Sequence, residues 1–350
     1  MGRRGVSQDR RRNMNTVALL PAEDRLALFT ETGAAQGLPP FHVEKDFWVC
    51  WVLAALFGHE EIGPNLTFRG GTSLSKAWGL IERFSEDIDL AMSRSWLGPA
   101  KDPGDPGITA AEKTRRLKAL RDECREVITH KLAPALQSAA ESLPEPFRIE
   151  IEPLAQARDP FCIHFEYPGT GLRPPADYNQ ALVKIELSGR ADRWPMADRS
   201  IRPYIAESFP AETGDPRITL SCVRPERTFW EKAALIHEQN IRPEERRLAA
   251  RQARHLSDLV RLWDADVAAA DGFLTLFTGV KSHRNTYFDY AWVDYETLKP
   301  GTLRLVPPET RLAAWRADYQ AMRPMFFKEP TGFEGLVQQL RIIEQSLTRL

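Results

Sequence analysis

The sequence predicts an α/β core followed by a mostly helical C-terminal half. Three observations carry this. Leu66 to Met92, LTFRGGTSLSKAWGLIERFSEDIDLAM, reads as strand, glycine turn, helix, loop and strand. Further runs with strand character follow at Phe147–Glu152, Cys162–Tyr167, Ala181–Ser188 and Ile218–Val223. From Pro225 onward apolar residues recur at helical spacing.

Taken in order, the first residues, MGRRGVSQDRRRN, are basic and lack the apolar segment of a signal peptide. Residues 1–20 are expected to form a disordered tail, with a nucleic-acid arm as the alternative. Ala22 to Gln36 is a helix, broken by Gly37-Leu38-Pro39-Pro40. Phe41 to Phe57 is a second helix, apolar enough to be mostly buried. Its Glu44-Lys45-Asp46 reads as a salt-bridged surface patch. Leu66–Arg69 has strand composition. Gly70-Gly71 lets the backbone turn tightly and leaves room for a ligand. Thr72 or Ser73 is expected to cap the next helix, whose stripe is Leu74, Ala77, Trp78 and Ile81. Trp96 to Gly107 is a Pro/Gly-rich loop, and Ala110 to Ser142 is a charged helix that Pro134 kinks or divides. Pro168 to Tyr178 is a loop, and Ile201 to Arg217 is irregular. Helices are expected at Pro225–Asn240, Ala249–Trp263, onward through Leu276, at Pro307–Met322 and at Gly332–Leu350. The expected domains are a core over 21–224 and a helical domain over 225–350.

At 350 residues the chain exceeds one average domain, and 43% hydrophobic content supports a substantial core. The formal net charge is −1, so no global basic field draws the protein to nucleic acid. Any such binding must use local patches, and Arg242–Arg254 and Lys281–Phe288 are the candidates. Each has a bland alternative, a solvated helix face for the first and a helix end with core aromatics for the second. Cys50, Cys124, Cys162 and Cys222 lie far apart without a Cys-x-x-Cys, which argues against a zinc site or a disulfide framework. No apolar run approaches the length of a membrane span. A cytoplasmic protein is the expectation.

The chemistry gathers in the first stretch. Asp87 and Asp89 sit at i and i+2 of a strand, so they share a face roughly 6–7 Å apart. Two carboxylates aimed together repel unless a cation sits between them. Mg²⁺ binds one or two carboxylates together with substrate phosphates. The glycine turn ahead of a helix offers backbone N–H groups that suit phosphate. A lone Gly-Gly-Thr or a lone Asp-x-Asp is common in elements with no chemistry; order and spacing carry this reading. In Ala181–Ser188, Val183, Ile185 and Leu187 face one side, and Lys184 and Glu186 the other. That pair is either functional or a Lys–Glu pair on a solvated face.

Gly70-Gly71-Thr72-Ser73-Leu74 followed by Arg83-Phe84-Ser85-Glu86-Asp87-Ile88-Asp89-Leu90 resembles the nucleotidyltransferase signature of the AbiEii/AbiGii toxin family. The resemblance implies an α/β (α+β) fold, a core similar to DNA polymerase β with a helical C-terminal domain. It implies Mg²⁺-dependent NTP chemistry and a toxin of a type IV toxin–antitoxin system. Asp87 and Asp89 would be metal ligands, and Glu186 looks like the third carboxylate of such cores. Gly70, Gly71, Thr72 and Ser73 would cradle the triphosphate. Thr228-Phe229-Trp230-Glu231-Lys232 resembles the family's Glu-Lys helix, and Arg254-His255-Leu256-Ser257-Asp258-Leu259 its Arg-x-x-x-Asp-Leu helix. By that likeness Lys232 serves the triphosphate, a role that suits a mobile point charge with three donors. Asp258 would orient Lys232 or the attacking group; otherwise it forms an i,i+4 pair with Arg254 worth about a few tenths of a kcal/mol. His255 stands where many members carry an aspartate. Lys76 or Arg83 would assist, Lys76 being a helix-surface residue on the plainer reading. The implied acceptor is the 3′ end of a tRNA, and the implied partner is an antitoxin encoded elsewhere. The rivals are a small-molecule nucleotidyltransferase of the antibiotic-modifying type and a nucleotide-binding regulator without catalysis.

Overall fold

Strand alternation over short segments builds a seven-stranded mixed sheet. The computed structural model describes residues 14–85, 87–98, 101–143, 146–153, 159–172, 181–214, 216–288 and 290–349. The strands are β1 (Leu66–Arg69), β2 (Ile88–Met92), β3 (Arg148–Ile151), β4 (Phe161–Glu166), β5 (Leu182–Ser188), β6 (Met196–Ile201) and β7 (Ile218–Val223), in the order β3-β4-β5-β2-β1-β7-β6. β1 runs antiparallel to β2, while β2 and β5 are parallel. Contacts divide the chain into two units. The first takes residues up to 77, 85–101 and 115–222; the second takes 78–84, 102–114 and 223–350.

In the first unit, one sheet face is apolar. Phe68, Ile88, Leu90, Ile163, Phe165, Val183, Ile185 and Leu187 are all buried, as alternation requires of one face. Helix α1 (Ala22–Gln36) falls where the sequence sets it, and Gly37 ends it at φ 67°. Helix α2 (Pro40–Phe57) covers the apolar face: Trp51 stacks on Phe165 at 5.4 Å and Trp48 on Tyr167 at 5.4 Å. Burial runs around the whole of α2, and this corrects one expectation. Glu44, Lys45 and Asp46 are not surface residues. They are enclosed because each polar group has a partner. Glu44 accepts from Thr170 N at 2.7 Å, and Asp46 accepts from Tyr204 N at 2.7 Å. The Lys45 ammonium lies 5.7 Å from the Phe41 ring. Lys76 is not a surface residue either. Its ammonium lies 2.6 Å from Asp46 and 3.8 Å from the centre of the Tyr204 ring.

Helix α3 (Gly70–Lys76) starts directly from β1, so Thr72 and Ser73 lie inside it and no side chain caps it. Helix α4 (Ala110–Val127) runs through a π segment, Ile128–Leu132, into α5 (Ala133–Ala140). Pro134 explains the irregularity, since it has no N–H to give the carbonyl four residues back. The polar strand β6 was not foreseen. Part of the stretch read as irregular forms two short helical turns, Ile205–Ser208 and Pro210–Thr213. Residues 14–18 are helical and bury Met14, Val17 and Ala18, while residues 1–13, Glu86 and most of the 168–178 loop fall outside the described residues.

The second unit is helical: α6 (Pro225–Asn240), α7 (Arg254–Asp264), α8 (Phe273–Tyr287), α9 (Glu309–Ala321) and α10 (Phe333–Leu347). Its core is aromatic. Trp230 lies 4.5 Å from Phe273 and 4.8 Å from Phe277 between ring centres, and its Nε1 donates to Phe273 O at 2.7 Å. Helix α7 buries Leu256, Leu259, Val260 and Leu262. It starts later than the apolar spacing suggests, because Arg251 turns the chain at φ 62°. Asp318 then accepts from Arg251 N and Ala253 N at 2.6 and 2.7 Å. Residues 82–84 lie along 325–327: Arg83 bridges Phe326, and Phe84 N donates to Met325 O at 2.7 Å. No helix among the described residues is long and apolar enough to cross a membrane.

Candidate active site

The polar face of the sheet is built by register. In β2, Ile88, Leu90 and Met92 are buried while Asp89 is half-exposed; Asp87, just ahead of the strand, is half-exposed too. Parallel pairing sets Asp89 opposite Glu186, and antiparallel pairing sets it opposite Arg69. Directly paired residues share a face, on strands about 4.7–4.9 Å apart. β4 adds Cys162 opposite Glu186 and His164 opposite Lys184. The first unit therefore brings Asp89 and Glu186 onto one face, beside Arg69 and Lys184, and Asp87, just ahead of the strand, lies near enough to Lys184 to favour its charged form.

The glycine turn abuts this face. Gly70 has φ 75°, a conformation that side chains rarely adopt. A Cβ there would lie 1.9 Å from Asp89 Oδ2, so only glycine leaves the carboxylate its place. Gly71 follows in the first turn of α3, with Thr72 and Ser73 buried behind it. The Thr72 hydroxyl donates to Asp87 O at 2.5 Å and lies 2.9 Å from Ser85 Oγ. Thr72 thus pins the chain that delivers Asp87 to the face.

Glu186 is held by its strand neighbour. Lys184 Nζ donates to Glu186 Oε1 at 2.5 Å. Partial burial pushes the Lys184 ammonium down, but Glu186 outweighs it and the group stays protonated above its ordinary range. Among the described residues, no group of three or more His, Cys, Asp or Glu side chains is arranged to hold a metal ion. A hard divalent cation with substrate phosphates needs only one or two carboxylates, and Asp87 with Asp89 fits that donor chemistry.

In the second unit, Lys232 from α6 and Asp258 from α7 meet, with Nζ 2.8 Å from Oδ2. Arg83 grips the same carboxylate with a fork, Nε to Oδ1 at 2.7 Å and Nη2 to Oδ2 at 2.7 Å. The side chains of Arg83, Lys232 and Asp258 are 3%, 8% and 1% exposed, so water does little to screen them. Asp258 is not the partner of Arg254 in a surface pair. Burial pushes the Asp258 carboxyl up, yet Arg83 and Lys232 outweigh it and hold it far below the usual range. Burial pushes Lys232 down; Asp258 raises it, Arg83 lowers it again, and the net direction is down. His255 Nδ1 lies 3.4 Å from Lys232 Nζ, and burial together with Lys232 drives that ring well below its ordinary value, so it stays neutral.

The two basic segments separate in character. In Lys281–Phe288, His283, Arg284 and Tyr287 are buried in α8, and the Arg284 fork clasps Glu238. That segment is a helix end with core partners. Arg246 and Arg247 are exposed, and the Arg246 guanidinium lies 4.8 Å from the Trp292 ring. Arg69 escaped sequence reading, although the alternation Leu66-Thr67-Phe68-Arg69 already sets it on the polar face. Arg83 was read only as a helper, because nothing local connects it to a residue 175 positions away.

The family model described as nucleotidyl transferase AbiEii toxin, type IV TA system, matches residues 51–339. No curated protein matches the chain. The chain belongs to the AbiEii nucleotidyltransferase toxin family.

Proposed function

We propose that this AbiEii-family member transfers a nucleotidyl group from an NTP to RNA, at the 3′ end of a tRNA, with Mg²⁺ as cofactor. The observation that supports it is Asp89 on the sheet face against the Gly70 turn, with Asp87 just ahead of the strand and its carbonyl held by Thr72. In the reaction, an acceptor hydroxyl oxygen bonds to the α-phosphorus. The bond from that phosphorus to the α–β bridging oxygen breaks, pyrophosphate leaves, and the hydroxyl proton passes to solvent. Held by Asp87 and Asp89, Mg²⁺ would neutralise phosphate charge and make the acceptor hydroxyl easier to deprotonate. Gly70, Gly71, Thr72 and Ser73 seat the triphosphate, chiefly through backbone N–H groups, since the Thr72 hydroxyl is engaged by Asp87 O. Glu186 would be the third carboxylate to hold the cation, in place of its present bond to Lys184. Lys232 offsets triphosphate charge, and Asp258 orients Lys232. Family membership implies an antitoxin partner; we place its gene elsewhere and the protein in the cytoplasm.

The test incubates the protein with Mg²⁺, labelled NTPs and total RNA, then with candidate small acceptors. Label in tRNA supports the proposal. Label in a small molecule moves the reading to an antibiotic-type transferase, and NTP binding without transfer to an inactive regulator. Expression without a partner should arrest bacterial growth, and Asp87→Ala at equal level should not.

A further inference from the structure

Arg83 and Lys232 converge on one buried carboxylate. Asp258 accepts three contacts at 2.7–2.8 Å, two from Arg83 and one from Lys232. The guanidinium is itself held, since Arg83 Nη1 donates to Phe84 O at 3.3 Å. Its backbone is pinned by the bridge to Phe326 and by Phe84 N on Met325 O. All of these residues lie in the second unit.

Charge counting shows what the arrangement does. A lone Lys232–Asp258 pair would be neutral, and Asp258 would cancel the charge that Lys232 is there to offer. Arg83 shares that carboxylate with Lys232, so Asp258 is not given over to the lysine alone, and His255 adds no charge. The fork also leaves Asp258 little freedom, so Lys232 is aimed as well as charged.

We infer that Arg83 is a positioning residue that takes up the charge of Asp258, so that Lys232 is oriented by that carboxylate without being neutralised by it. This rests on the proposed role of Lys232 with the triphosphate. Arg83 does not touch the nucleotide; it acts through Asp258. The groups facing Lys232 are Asp258, His255 and Arg254 from α7 and Arg83 from the 78–84 segment. Of these Arg83 and Arg254 depress the ammonium beyond what burial does. Removing Arg83 therefore raises the Lys232 pKa. NTP binding that needs the ammonium is lost as pH rises through that pKa, so the alkaline limb moves to higher pH.

The experiment measures KM and kcat for NTP against pH in wild type, Arg83→Gln, Arg83→Lys and Lys232→Ala, with thermal unfolding alongside. Arg83→Gln is expected to raise KM for NTP about tenfold, change kcat less, and shift the alkaline limb upward. Arg83→Lys keeps the charge but loses the fork, so it should keep the wild-type limb with an intermediate KM. If Arg83→Gln does not fold, Arg83→Lys alone decides: a fully wild-type KM overturns the inference. Wild-type KM and limb in Arg83→Gln overturn it, as does a raised KM with an unmoved limb, which would mark a merely structural arginine. If Lys232→Ala uses NTP like wild type, the proposed role of Lys232 fails and this inference with it. If only Lys232→Ala is impaired, this inference fails alone.

Discussion

The carboxylates of the sheet face and the cations around Asp258 are opposite solutions to the same problem of grouped charge. On the sheet, Asp87, Asp89 and Glu186 stay half-exposed, with Lys184 and Arg69 alongside. Around Asp258, two cations are enclosed and a single carboxylate is shared. Exposed counterions can be exchanged, because water screens the charges while partners change. Buried ones cannot, because any unpaired moment is expensive. The sheet face thus keeps its charges exchangeable, as the proposed cation site requires, while the helical cluster is set in place beforehand.

The strongest way to break this contrast is at the sheet. Asp87→Ala or Asp89→Ala should cut transfer by about 10³-fold or more, as loss of metal ligation removes the charge stabilisation. The unfolding temperature should hold or rise, because one of two repelling carboxylates has gone. Wild-type turnover in either variant would end the metal proposal.

Next comes Asp258→Ala. It leaves Arg83 and Lys232 buried without their carboxylate, at a cost of about 3–5 kcal/mol. Thermal unfolding should therefore separate it clearly from Asp89→Ala; equal unfolding temperatures would show that burial does not distinguish the clusters. The pH dependence follows from the depressed carboxyl. Asp258 contributes stability that is present above the ordinary unfolded carboxyl value of about 4 and lost as pH falls towards its lower folded value. Asp258→Asn should flatten the acid limb of the stability curve, read by denaturant titration between neutral and acidic pH.

Lys232 sharpens the comparison with a smaller effect. Lys232→Ala should raise KM for NTP, and Lys232→Glu should nearly eliminate NTP use by adding like charge near phosphate. Steady-state kinetics with one labelled NTP decides it, and unchanged values in both would assign Lys232 to structure alone. The smallest effect belongs to Lys184→Met. Its pair with Glu186 is part-exposed, so stability should change by only about 0–1 kcal/mol. Mn²⁺, used as a paramagnetic probe, should bind more tightly once Glu186 is released. Weaker or equal Mn²⁺ binding would mean Glu186 never joins the cation.

What the sequence made legible follows the range of its signals. The strand–turn–helix–strand around Gly70, the strand carrying Asp89 and the strand carrying Glu186 are local, and each was readable, although the strand begins at Ile88, one residue after Asp87. The helical second half was readable from spacing. Burial of Glu44, Lys45 and Asp46 was not, because charge suggests a surface and only tertiary partners such as Thr170, Tyr204 and Lys76 overrule it. β6 was missed because Met-Ala-Asp-Arg-Ser-Ile is polar and largely exposed. The Arg83 fork was missed for a related reason: no periodicity links an arginine to an aspartate on a helix far along the chain.

The pairing of residues 82–84 with 325–327 sets a clock on protein synthesis. Glu82 O and Phe84 N wait for Phe327 N and Met325 O, which the ribosome makes near the end of the chain. Asp258 and Lys232 can form their pair earlier, but the backbone that steadies Arg83 cannot close until Phe327 has cleared the exit tunnel. A nascent chain, or one cut short by a premature stop before Met325, carries the whole signature stretch without this brace. Arrested translation before that point would thus release fragments without the brace, and stop codons recovered among survivors of expression should extend through α9 to about Met325.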